Sequence, residues 1–151
     1  MMTFKVVMER AKQDYNNPNI SNANEACQLA FEILNEIIVD EDREICFVIA
    51  LDAKSSVIGY KLLYVGTIYE IEIRPAEIFR AALLLGAHSF YIVHYHPSGD
   101  PTPSSGDTEV FNHLNELGKS LDCQCIDSVI LTKNNKAWSI VAQGEIEIKT
   151  E

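Results

Sequence analysis

Apolar residues recur along this chain in two rhythms, one every third or fourth position and one every second. The places where one gives way to the other predict its elements. From Asn22 onward Cys27, Ala30, Phe31, Leu34 and Ile37 or Ile38 repeat at helical intervals, and Asn22 followed by Glu25 has the spacing of a capping box. One amphipathic helix is expected there. Runs from Glu44 to Asp52 and from Val57 to Thr67 are apolar and β-rich, and Ala53-Lys54-Ser55-Ser56 between them predicts a hairpin connection. Ile68 to Ile73 alternates and would prolong the sheet. Pro75 suits a first helical turn, and Ile78, Phe79, Ala82 and Leu83 form a stripe that Gly86 stops. Ser89-Phe90-Tyr91-Ile92-Val93 is short, aromatic and β-branched, as a buried strand is. From Asp107, the residues Val110, Phe111, Leu114, Leu117 and Leu121 make another helical stripe, with Gly118 near its end. Ser128 to Thr132, a turn at Asn134-Asn135, Ala137 to Val141 and Glu145 to Lys149 predict an antiparallel finish. Upstream, Thr3 to Met8 alternates weakly as an extra strand would, and Asp14 to Asn19 reads as a turn-rich link.

The sum is an α+β fold, a mixed and largely antiparallel sheet with helices against it. At 151 residues the length fits one domain with a real core, and no second domain is expected. Apolar content of 47% with 23% charged residues places the chain among soluble globular proteins, and its apolar runs are strand-sized, so neither disorder nor a membrane span is expected. Met1-Met2-Thr3 passes quickly to Lys5, Glu9 and Arg10, which is not an export leader, and a cytoplasmic protein is expected. Cys27, Cys46, Cys123 and Cys125 are then reduced, and Cys123-Gln124-Cys125 lacks the second pair that a thiolate metal site needs. A net charge of −10 without a Lys/Arg cluster argues against direct nucleic-acid binding, which draws its affinity from clustered cations. The composition permits an oligomer.

Chemistry concentrates between His94 and Asp107, in the stretch HYHPSGDPTPSSGD. Side chains alternate along a strand, so His94 and His96 share one face and Tyr95 takes the other. Pro97, Gly99, Pro101, Pro103 and Gly106 forbid regular structure until a helix opens around Asp107. Two imidazoles and a carboxylate satisfy three corners of a tetrahedral zinc site and leave the fourth to water, the composition of a catalytic site. Ser104-x-x-Asp107 is equally what a helix N-terminus wants, and both roles can hold at once. Asp100 reads as a turn former, His88 as closing the preceding turn, and His113 as a solvent-facing helix residue.

His94-x-His96, seven residues, then Ser104-x-x-Asp107 resembles the metal signature of JAB/MPN metalloprotease domains, and HPSGDPTPS resembles the RadC-like branch. Leu62-Leu63-Tyr64-Val65-Gly66-Thr67, Arg74-Pro75-Ala76-Glu77-Ile78-Phe79 and Ala81 to Ala87 extend the likeness, which covers roughly residues 22–141. The resemblance implies a JAB/MPN, cytidine-deaminase-like fold and a Zn2+ ion held by His94, His96 and Asp107. It gives Ser104 to the oxyanion, with Ser105 as the neighbouring choice. The acid/base glutamate falls on Glu44, before the run Ile45 to Leu51, with Asp42 and Glu41 as alternatives. Tyr95 stands where relatives often carry Asn, and Asp127-Ser128 stands where they carry an Asp-His pair. Many relatives bear a DNA-repair label and an extra N-terminal helix-hairpin-helix module, which this chain is too short to include.

The function so implied is zinc-dependent hydrolysis of an amide bond, the substrate being a peptide, a protein conjugate or a small amide. One alternative is a non-catalytic MPN-type interaction module, which would be expected to lack ligands. The other is a cupin-like metal protein, which also uses H-x-H but is all-β, against the two helical stripes that flank the motif.

Overall fold

The computed structural model describes residues 17–37, 42–66 and 74–150, together with Met2. Three segments, Glu44–Leu51 (β1), Ser89–His96 (β3) and Gln124–Thr132 (β4), are buried almost end to end. A strand covered on both faces has no polar side to show, which is why they read as apolar runs rather than alternations. With Val57–Gly66 (β2), Lys136–Ser139 (β5) and Gly144–Glu147 (β6) they form a six-stranded sheet of order β2-β1-β3-β4-β5-β6. Neighbours are antiparallel except β3 and β4. A parallel pair needs a crossover, and helix Ser105–Leu121 (α3) supplies it. The expected α+β class, with a mixed and largely antiparallel sheet between helices, is the observed one, and an all-β barrel is excluded.

The period-2 alternation sorts the core into two layers. Odd-numbered residues Ile45, Phe47, Ile49, Tyr91, Val93 and Tyr95 pack with Ala26, Cys27, Ala30 and Leu34 of helix Ala23–Ile37 (α1). Even-numbered Cys46, Val48, Phe90 and Ile92 pack on the other side against Ile78, Phe79 and Ala82 of helix Pro75–Leu84 (α2) and Phe111 and Leu114 of α3. Both entry points follow their local chemistry. Asn22 Oδ1 accepts from the Glu25 amide at 3.0 Å, while the Glu25 carboxylate accepts from the Ser21 amide at 2.7 Å. Pro75 opens α2, and Gly86 leaves it with φ +72.

As expected, Gly118 falls near the end of α3, which runs on to Leu121 and closes at Asp122 in the left-handed conformation, φ 49. Other boundaries differ from the sequence expectations. β4 starts at Gln124 rather than Ser128, and β5 stops at Ser139 rather than Val141. The first shift follows from pairing with β3, which already engages Gln124 and Cys125. The second traces to Asp127, whose buried carboxylate accepts from the Ser128 amide at 2.8 Å, the Val141 amide at 3.0 Å and the Ser139 hydroxyl, and so turns the chain after Ser139. The last strand is Gly144–Glu147 rather than Glu145 to Lys149. Thr3 to Met8, Ile68 to Ile73, Ile38, Glu41 and the first part of the Asp14 to Asn19 link lie outside the described residues. No described helix is long and apolar enough to cross a membrane.

Candidate metal centre

The even-numbered face of β1 and β3 is apolar until the strands near their shared end, and there it changes character. Cys46 stands opposite His94 and Ile45 opposite Tyr95 in the register, which brings Glu44 beside His96. Glu44, Cys46, His94 and His96 therefore share the face that α2 and α3 cover, while Tyr95 is buried in the α1 layer. As the alternation predicted, both imidazoles point the same way.

The start of α3 brings in the carboxylate. After the proline-rich loop Ser104 becomes the N-cap: its Oγ accepts from the Asp107 amide at 3.1 Å, and Asp107 Oδ2 accepts from the Ser104 amide at 2.8 Å. That reciprocal pair fixes the Asp107 side chain, whose Oδ1 lies 3.2 Å from His94 Nδ1 and whose Oδ2 lies 3.6 Å from His96 Nε2. One carboxylate serves as helix cap and as the meeting point of the two rings. Ligand atoms of His94, His96 and Asp107 all lie within 4.8 Å of one another, the spacing of a group able to hold a metal ion.

Electrostatics mark the same cluster. Burial by itself pushes the His94 imidazolium down, but the Cys46 sulfur and the Asp107 carboxylate beside it more than reverse this, raising its pKa to about 10. Burial pushes the Asp107 carboxyl up, and the bonds from His94 and Ser104 outweigh it, holding the pKa at about 2. Glu44, half-buried, is raised by burial against the attraction of the His96 and His94 rings, with Asp107 adding to the rise. Its coupling to all three residues puts it within electrostatic reach of the cluster. Nε2 of His94 is buried without a hydrogen-bond partner. His96 Nδ1 meets the backbone oxygen of Asp100 at 3.2 Å.

The remaining candidates are not among the three residues of the ligand group. Asp42, His88 and His113 are exposed, and Ser105 is the first residue of the helix that Ser104 caps. Asp100 Oδ1 accepts from the Thr102 amide at 2.9 Å, as a turn former does. All four cysteines are free and buried. Two participants escaped the sequence reading: Cys46, and the Asp100 carbonyl. Period-2 counting from Glu44 would have put Cys46 on this face, but its partner follows only from the β1–β3 register.

A family model described as the RadC-like JAB domain matches residues 23–145. A UPF0758 protein of Chlorobium chlorochromatii is 40% identical over 103 residues, 68% of this chain and 46% of that protein. Another, from Thermotoga maritima, is 40% identical over 105 residues, 70% of this chain and 47% of its own. A third, from Syntrophomonas wolfei, is 31% identical over 149 residues, 96% and 63% of the two chains. The chain spans about half the length of the first two of these curated relatives.

Proposed function

The chain belongs to the RadC-like JAB family, and on that premise we propose that it is a zinc-dependent hydrolase of amide bonds, of metallopeptidase or isopeptidase type, acting in the cytoplasm. The observation that carries this reading is His94 Nε2, buried and unpartnered in a ring whose other nitrogen faces a carboxylate. A buried polar atom left unpaired costs about 1–3 kcal/mol, and a cation among these groups removes the cost by giving the ring a ligand's role. The donor set fits zinc. One ligand atom from each of His94, His96 and Asp107 lies within 4.8 Å of the others, and two imidazole nitrogens with a carboxylate oxygen are a set that zinc takes. Three protein ligands leave one position open, as catalytic rather than structural zinc sites do.

Held by His94, His96 and Asp107, zinc would supply Lewis acidity toward a substrate carbonyl and toward water. The chain's own residues do the rest. Glu44 takes a proton from the attacking water and returns it to the leaving amine, work that suits a half-buried carboxyl raised above its ordinary range. Ser104 Oγ receives the Asp107 amide on a lone pair, so its own hydrogen stays available to donate to the carbonyl oxygen as charge builds there. The substrate is a peptide, a protein conjugate or a small amide. A net charge of −10 disfavours nucleic acid as a direct ligand.

The test is metal analysis of the wild type and His96→Ala beside a panel of peptide and isopeptide substrates. Stoichiometric zinc and turnover in the wild type, both lost in the variant, are expected. Full zinc retention by His96→Ala would remove the ligand assignment, and bound zinc without turnover of any amide would favour a non-catalytic interaction module.

A further inference from the structure

His96 is the last residue of β3, where the chain leaves the sheet, and its side chain is 19% exposed. His94 is different: it sits within the strand between the Cys46 position and Asp107 and is buried. A ring at a strand end can turn about its own bonds, so something outside the sheet must select which nitrogen faces Asp107. In this structure Nδ1 meets the Asp100 carbonyl oxygen at 3.2 Å, which leaves Nε2 on the Asp107 side. Donation from Nδ1–H to a carbonyl sets the tautomer with its lone pair on Nε2, the form a metal requires.

The carbonyl is there because the loop is specified residue by residue. Asp100 Oδ1 accepts from the Thr102 amide at 2.9 Å, closing an Asx turn. Ser98 Oγ accepts from the Asp100 amide at 3.3 Å, and the His96 carbonyl accepts from the Gly99 amide at 3.3 Å. Gly99 has φ +85, and a Cβ there would stand 2.8 Å from Asn134 Nδ2. Pro101 disfavours helical backbone at Asp100. We infer that the turn from Ser98 to Thr102 holds His96 in its ligating orientation, with Asp100 as the positioning residue that acts through its own carbonyl. This rests on the metal-site reading of His94, His96 and Asp107.

The experiment compares Zn2+ affinity of the full chain, by chelator competition, in the wild type, Asp100→Ala, Asp100→Asn and Thr102→Pro. Asp100→Ala removes the acceptor of the turn and Thr102→Pro removes its donor, so each reports if the other fails to fold. Both should lose about 10–100-fold in affinity, the usual cost of losing a group that orients a ligand. Asp100→Asn keeps an oxygen for the Thr102 amide and should stay near the wild type. The ring is also read directly in zinc-free protein, where a slowly exchanging His96 Nδ1–H resonance should appear in the wild type and Asp100→Asn and vanish in the other two. Unchanged affinity in Asp100→Ala and Thr102→Pro, or Asp100→Asn as weak as Asp100→Ala, overturns the inference. If the wild type takes up no zinc, the metal-site reading falls, and the zinc-free resonance still decides: its survival in Asp100→Ala and Thr102→Pro sinks the role of the turn.

Discussion

Gly118 of α3 lies so close to Cys123 that a Cβ built on it would stand 2.6 Å from the Cys123 carbonyl oxygen, and 3.2 Å from the Cys125 amide nitrogen. Both atoms are backbone, so relief requires the helix to move off β4. Alanine in an exposed helix gains about 1 kcal/mol over glycine, whereas overpacking costs about 1–3 kcal/mol. A backbone clash this short puts the second effect ahead. Gly118→Ala should therefore lower stability by about 1–2 kcal/mol in urea denaturation. A midpoint at or above that of the wild type would mean that α3 slides freely.

The same glycine shows where sequence stops being informative. A Gly that ends a helix and a Gly that lets the following chain fold back tightly look alike in one dimension, because what separates them is the backbone path at residues 123–125 and not a residue pattern. Asp127 misleads in the same way. It is a polar residue in a buried strand, tolerated because Ser128, Val141 and Ser139 all donate to it. The candidate site was legible because its geometry is local: alternation aligns His94 with His96, and the Ser104-x-x-Asp107 cap aims its own carboxylate. The Cys46 contact and the Asp100 carbonyl were not legible, since one depends on strand register and the other on a backbone atom that carries no residue identity.

Ser104→Ala tests the double duty of the cap. Loss of the Oγ acceptor for the Asp107 amide should cost about 1 kcal/mol in the metal-free protein. Asp107 then loses part of the frame that aims it at the rings, so zinc affinity should drop as well. Thermal melts with and without zinc separate the two losses, and an unchanged zinc-dependent shift would mean that the Ser104 cap does not aim Asp107 at the metal.

Glu44→Gln should leave zinc affinity close to the wild type while reducing hydrolysis by about 10²–10⁴-fold, the usual range for a lost general base. Glu44 is the first residue of β1 and lies beside the rings without belonging to the three-ligand group. Zinc competition assays and steady-state turnover on the same preparations check both halves. Full turnover in Glu44→Gln would return the role to a neighbouring acid.

The pairing of His94 with Asp107 predicts different pH dependences with and without metal. Asp107, depressed to about 2, contributes stability that is present above its ordinary value of 3.8 and is lost as pH falls through about 2. His94, raised to about 10, contributes stability that is fully present below its ordinary value of 6.5 and is lost as pH rises through about 10. As far as this pair decides it, the metal-free chain is most stable between about pH 4 and pH 6.5 and weakens from there to about pH 10. Zinc cancels the alkaline slope, because a ligating imidazole must give up the proton that Asp107 helps it keep, and uptake across that span releases it. Apparent affinity should climb with pH, approaching tenfold per unit for one proton, or about 1.4 kcal/mol. Melts between about pH 6.5 and pH 9 should show the gap between zinc-loaded and metal-free protein widening with pH. His96→Ala should follow the metal-free curve at every pH. A gap that narrows as pH rises would mean that His94 is not a ligand.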